Sequence, residues 1–389
     1  MQLNKLAATL AAVGLAVPSL AIATNGMVME AYGPIAAGMG GAAMAYDNGT
    51  AAMANNPATL GLMADGSRLD VMVGFVGPDV QTPMGTSEDE AFYMPAIGYV
   101  KKQGNLAYGV GIYGQGGMGT KYANGDKAQV SVGRVIFPIA YSVNERFNIG
   151  GSVDIVWGGM DLVADLNPAY PGKEIDFTDD SDFTGEAKGY SVAAKLGFTY
   201  KLNDAITVGG VYQTAGNLPD LEDGAYTVDG FDMPPVVGLG LAWQANDRLM
   251  VAADVKDVMW GSSMNTVTIY NSDNGMVVPF KQDWDDQIVL ALGLAYRFSD
   301  AFNGRVGYNH GKNPIPDQNV NYLWPAIVED HYTVGFGYAF NKQSEVNFGL
   351  SYAPEVSVTG TGPNPPYGNG GMTIEHSQVN WQLMYSHTF

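Results

Sequence analysis

The sequence predicts an all-β fold: an antiparallel transmembrane β-barrel of about fourteen strands that contains an N-terminal segment. Three observations carry that expectation. Apolar residues alternate with small or polar ones over runs of about ten residues, the length of a tilted membrane-crossing strand. The connections between the runs alternate between short polar turns and long loops. No long apolar run follows residue 23, although 46% of the 389 residues are hydrophobic.

Residues 1–23 read as a secretory leader. Lys5 is the charged start, Leu6 to Val17 the apolar run, and Ala21-Ile22-Ala23 a small-x-small cleavage site. The apolar run is too short to cross a bilayer as a helix. The mature chain is expected to start near Thr24.

Residues 24–66 form the second unit. From Asn25 to Met63 the chain is nearly all Gly, Ala, Met, Asn and Thr. It has neither strand alternation nor a continuous helical stripe, so it needs a container to fold. Its sharpest local signal is Asn56, a good helix cap, followed by Pro57 in the first helical position.

Residues 67–389 are the container. The last run is the clearest: Val379, Trp381, Leu383, Tyr385, His387 and Phe389 alternate with Gln378, Asn380, Gln382, Met384, Ser386 and Thr388. Ile288, Leu290, Leu292, Leu294 and Tyr296 alternate with Val289, Ala291, Gly293 and Ala295. Large side chains on one face and small, polar or charged ones on the other place lipid outside and a polar lumen inside. Asn144-Glu145-Arg146, Asn203-Asp204, Asn246-Asp247-Arg248 and Asn341-Lys342-Gln343 are short turns. Between them fall long loops near 78–90, 116–126, 158–186, 215–233, 261–285, 311–328 and 354–375.

Composition excludes several functions. There is no cysteine, hence no disulfide framework and no thiol chemistry. Without the leader, whose one charged residue is Lys5, the chain carries 18 basic and 39 acidic side chains, a net charge of −21. Such a chain is a poor partner for nucleic acid, which needs Lys and Arg to neutralise phosphate. His310, His331, His376 and His387 have no metal-ligand spacing. Asp176, Asp179, Asp180 and Asp182 do not follow a calcium-loop pattern. No nucleophile elbow is present, so no enzyme, cofactor or metal site is expected.

The sequence resembles the FadL family of outer-membrane transporters of fatty acids and aromatic hydrocarbons. The resemblance rests on Gly38-Met39-Gly40-Gly41-Ala42, then Asp47-Asn48-Gly49-Thr50-Ala51-Ala52, then Asn56-Pro57-Ala58, and on the terminal strand ending in Phe389. It implies fourteen strands, an N-terminal hatch plugging the lumen with a gating role around Asp47, Asn55, Asn56, Pro57 and Ala58, and Phe389 as the signal for barrel insertion. It also implies an inward kink in the third strand that opens a side hole.

The third run holds Gly109, Gly111, Gly114, Gly116 and Gly117. These glycines match G-x-G-x-x-G twice, but they alternate with Tyr108, Val110 and Ile112 and no helix follows, which excludes a dinucleotide site. Glycine in a strand marks a bend or a close backbone approach, and these five are the candidates for the kink. A plain small-residue lining is the alternative.

Strand phase places Arg134, Asp154, Lys195, Asp254, Lys256 and Arg305 inside. Arg134, Asp154 and Lys195 fall on successive strands and can pair. A structural ion-pair network is one expectation; the other makes Arg134, Lys195, Lys256 and Arg305 contacts for a ligand carboxylate. Two long loops carry apolar side chains, Leu162, Leu166, Phe177 and Phe183 in one and Leu218, Leu221 and Phe231 in the other. Apolar loop surface points to binding, and the resemblance places a ligand-capture groove there.

Together these imply passive outer-membrane uptake of a hydrophobic molecule, a hydrocarbon or a fatty acid, through a hatch-gated barrel with lateral exit at strand three. The acidic loops favour a neutral ligand over an anion. An aqueous porin and an adhesin or phage receptor are the alternatives. The expected partners are the ligand, outer-membrane lipid and lipopolysaccharide, and the barrel-insertion machinery; a monomer is expected.

Overall fold

The computed structural model describes residues 24–165, 174–179, 185–362 and 371–389. The leader 1–23, and Asp180, Asp182, Leu166 and Phe183, lie outside the described residues.

Strands β1 (Gly66–Thr82), β2 (Phe92–Gln103), β3 (Leu106–Lys121), β4 (Lys127–Ser142), β5 (Phe147–Asp165), β6 (Ala187–Lys201) and β7 (Ile206–Gln213) form half of the wall. Strands β8 (Val236–Gln244), β9 (Leu249–Val258), β10 (Gln287–Arg297), β11 (Phe302–Gly311), β12 (Asp330–Ala339), β13 (Ser344–Thr359) and β14 (Thr373–Thr388) form the other half. Each pairs antiparallel with the next, and β14 returns to β1 from Arg68↔Thr388 to Gln81↔Glu375. A closed ladder is what lets a sheet cross hydrocarbon without orphaned backbone groups.

The period-two pattern sets the faces. Ile288, Leu290, Leu292 and Leu294 point out and are 44–53% exposed, while Val289 and Ala291 between them are fully buried. The wall is uneven in height. β7 to β10 have 8–11 residues, near the expected length, but β1, β3, β4, β5, β13 and β14 have 16–19. Residues 116–121 and 158–165, expected in loops, therefore belong to β3 and β5. Both stretches remain paired to β4.

Residues 24–65 lie inside the barrel, and almost every residue of the segment is buried. It folds as short turns, the helical turn Pro34–Ala37 and the 3-10 turns Gly49–Met53 and Pro57–Leu62. Glycines of the wall make room for it. A Cβ on Gly197 would collide with the Asn56 side chain, and one on Gly307 with the backbone of Gly40.

The mouth at the long-loop end is also covered. The long loop expected near 311–328 spans 312–329 and folds inward. Val320, Leu323, Ala326, Ile327 and Val328 are fully buried. Tyr122 donates to the Tyr322 carbonyl at 2.7 Å, Tyr322 donates to Asp126 at 2.9 Å, and Thr120 donates to the Leu323 carbonyl at 3.1 Å. Trp260, Trp284, Phe280 and Trp324 pack with this stretch in one apolar cluster.

Candidate functional site

The wall parts between β2 and β3. Pairing between β2 and β3 runs from Gln103↔Leu106 to Ile97↔Ile112 and stops. Beyond it, Phe92 to Ala96 stay paired to β1, and Gly114 to Lys121 stay paired to β4. The β3–β4 register slips by one residue between Gly114 and Gly116. Gln115 is the extra residue of that bulge, and a bulge bends its strand. The bent backbone is held from inside. Gly116 bridges to Val28, Gly117 N–H donates to Met27 O at 3.1 Å, and Met29 N–H donates to Gln115 O at 3.2 Å. The Tyr32 hydroxyl donates to the same Gln115 carbonyl at 3.0 Å. Close approach explains one glycine directly: a Cβ on Gly116 would strike the Met27 carbonyl. Of the five glycines singled out in the sequence, Gly114, Gly116 and Gly117 sit at the parting, whereas Gly109 and Gly111 lie in the regularly paired lower half of β3. Pro95 also belongs to the site; without an N–H it cannot donate to a ladder.

A cavity of about 480 Å³ fills the gap. Its lining comes from both faces of the wall. Val76, Val80, Val132 and His376 point into the lumen, while Tyr93 and Ile112, 51% and 43% exposed, point out. Trp157 lies on the outer side, across Gly133, and Thr24 and Met29 of the N-terminal segment close the inner end. Among the described residues no Asp, Glu, Lys or Arg lines it. The volume and apolar lining suit a small hydrophobic molecule.

The N-terminal segment is held by side chains the sequence singled out. Asn56 Oδ1 accepts from Ala58 N at 3.1 Å, capping the turn that Pro57 begins, and its Nδ2 donates to Met44 O at 2.8 Å and Phe198 O at 3.1 Å. Asn55 donates to Tyr32 O at 2.8 Å, and Asp47 accepts from Gly49 N at 2.9 Å. The inward Asp254, and Asp70, Arg68 and Glu30, which sequence reasoning missed, complete the seat. Asp254 accepts from Ala43 N and Met44 N at 2.6 and 3.1 Å. Asp70 accepts from Thr50 N at 2.8 Å and pairs with Arg68 at 2.9 Å. Glu30 is 1% exposed, and burial pushes its carboxyl up to about 7 against the pull of hydrogen bonds and Lys256.

The inward charges do not meet at the cavity. Arg134 and Lys195 both reach Asp154, at 2.9 and 3.5 Å, as their places on successive strands allow. Lys256 donates to Glu30 O at 3.2 Å. Arg305 donates to Asn347 at 3.0 Å and lines a second, polar cavity of about 240 Å³ beside Arg68, Asp47 and Glu345.

The apolar loop residues are a correction. Leu162 and Leu221 are fully buried, Phe177 and Phe231 are 3% exposed and Leu218 8%. They pack with one another in the cluster beneath the long loops rather than lining an open groove. Sequence shows that such residues are apolar, not what covers them.

Residues 14–380 match the family described as outer membrane protein transport protein, OMPP1/FadL/TodX. The structure is similar to the toluene transporter TbuX of Ralstonia pickettii, with a TM-score of 0.76, 27% identity, and 92% of this chain and 99% of that one covered. It is also similar to the toluene transporter TodX of Pseudomonas putida, with a TM-score of 0.80, 25% identity, and 94% and 100% covered. A 77-residue stretch is 32% identical to the long-chain fatty acid transport protein of Salmonella typhi, covering 20% of this chain and 18% of that protein. A 61-residue stretch is 48% identical to an uncharacterized protein of Chlorobium limicola, covering 15% of this chain and 30% of that one. The matched stretches span less than a third of either relative.

Proposed function

The chain belongs to the OMPP1/FadL/TodX family of outer membrane transport proteins, and from that premise we propose that it carries a neutral hydrophobic small molecule passively across the bacterial outer membrane. One observation carries the choice of ligand: the cavity at the parting of β2 and β3 has no charged side chain among its described lining. A carboxylate there would lose its water without gaining a cation, which is costly. An alkylbenzene or alkane loses nothing of that kind and gains apolar burial. Arg134 and Lys195, which could have met a fatty acid, are committed to Asp154.

The route follows from the lining. A ligand in the cavity touches lumen-facing and lipid-facing side chains at once, so it can leave sideways into the bilayer without crossing residues 24–65. That segment acts as the hatch. Its first residues, Thr24 to Met29, close the inner end of the cavity and brace the bulge, so ligand binding and hatch position are coupled. No energy source is required, because the step is partition from one apolar site to another. A porin reading is disfavoured by a lumen that residues 24–65 occupy.

The test is uptake of a matched pair, an alkylbenzene and a fatty acid of similar length, by cells with and without the gene. Gene-dependent uptake of the alkylbenzene is expected. Gene-dependent uptake of the fatty acid alone would overturn the neutral-ligand assignment, and gene-independent uptake of both would overturn the transport function.

A further inference from the structure

The cavity is apolar except at one corner, and that corner has a defined hydrogen-bonding character. His376 and Gln378 stand two residues apart on β14, both turned into the lumen, 2% and 4% exposed, and both line the cavity. Nδ1 of His376 lies 2.7 Å from the Pro325 carbonyl oxygen. A carbonyl only accepts, so Nδ1 carries the proton. With no acid in the described lining to favour an imidazolium, the buried ring is neutral and its Nε2 is a bare acceptor. Among the described residues none donates to that Nε2, nor to Oε1 of Gln378. Native interiors rarely leave such groups unpaired, because an unmade hydrogen bond costs more than a made one contributes. The two residues stand roughly 6.6 Å apart along the strand, from two residues of rise, and both acceptors lie buried in the cavity wall.

We propose that the cavity selects a neutral ligand bearing a hydrogen-bond donor, a phenol or other hydroxylated aromatic, whose O–H donates to His376 Nε2 or Gln378 Oε1 while its hydrocarbon body fills the apolar remainder. This rests on the transport function above and narrows its ligand class. Two acceptors without a cation repel a carboxylate, satisfy a hydroxyl and gain nothing from a bare hydrocarbon. A site built to bond a hydroxyl discriminates strongly against the analogue that lacks it, since its own buried groups are then left unpaired.

The experiment uses the full-length protein purified in detergent and three probes of one shape: 4-ethylphenol, 4-ethylanisole and ethylbenzene. Calorimetric Kd values are compared for wild type, His376→Leu and Gln378→Leu, each first checked for a heat-modifiable folded barrel. Gln378→Leu leaves the His376–Pro325 contact in place, so the test does not depend on the stretch 312–329 tolerating the histidine change. The expected result is a Kd ratio of ethylbenzene to 4-ethylphenol that falls about tenfold in at least one variant, one hydrogen bond's worth. Ethylbenzene affinity should stay within twofold, and 4-ethylanisole, which has no donor, should follow ethylbenzene. A ratio unchanged in both variants, or an anisole that binds like the phenol, overturns the inference and leaves the transport function standing. If neither ethylbenzene nor 4-ethylphenol binds the wild type, the transport function falls with it.

Discussion

Sealing the wall should stop transport while leaving the barrel folded. β2 keeps five residues, Phe92 to Ala96, paired to β1 but not to β3. Deleting Gln115 removes the extra residue of the bulge, and Pro95→Val restores the donor that proline lacks. Continuing the existing register then adds five residue pairs and, at an average of one bond per antiparallel pair, about five hydrogen bonds. At a net of about 1 kcal/mol each, the sealed wall gains about 5 kcal/mol. A shift of about 5.5 kcal/mol moves a two-state equilibrium from 1:99 to 99:1, so the open wall should become the minor state. The assay is whole-cell uptake of an alkylbenzene, with heat-modifiability on gels as the control for folding. A second variant makes the closure reversible. The chain has no cysteine of its own, and Pro95→Cys with Gly114→Cys would face each other only in a sealed wall. Oxidation should block uptake and a reductant should restore it. A folded, cross-linked barrel that transports at the wild-type rate would refute lateral exit.

Four further outcomes follow from the hatch and the lumen. Asn56→Ala removes a cap and two side-chain hydrogen bonds, about 3 kcal/mol together; amide exchange over 34–63 should quicken while the barrel's own unfolding midpoint holds, and unchanged protection would count against the seat described here. Glu30 has its carboxyl raised to about 7 by burial, so the stabilisation from its neutral form is fully present below about 4.5 and is lost as pH rises through 7. Proteolysis near residue 30 should therefore be faster at pH 8 than at pH 5, and Glu30→Gln should abolish the difference. Asp154→Ala strands two buried cations and should cost about 3–5 kcal/mol in urea unfolding. Arg134→Ala and Lys256→Ala should leave alkylbenzene affinity within twofold; if a fatty acid binds much more tightly than the alkylbenzene, and either change abolishes that preference, the neutral-ligand assignment fails.

The sequence by itself determined the architecture. Period two is a local property, so alternation along β10 and β14 assigned each side chain to lipid or lumen without knowledge of its partner. The same phase put Arg134, Asp154 and Lys195 on one inner face of adjacent strands, where they meet. A stretch as small-residued as 25–63 has too little apolar surface to form its own core, so it had to lie inside something else. What only the tertiary structure decided is non-local. The bulge at Gln115 is a register difference between two strands, and the gap above Ile97 is a pairing that β2 and β3 do not make; Gly109 and Gly116 look alike until the partner strand is known. The stretch 312–329 was legible only as a long loop and the apolar residues from Leu162 to Phe231 as hydrophobic, but an apolar side chain reads the same whether it faces a ligand, lipid or another apolar side chain. Burial is settled by what packs against a residue, and for these loops that partner is another loop far away in the chain.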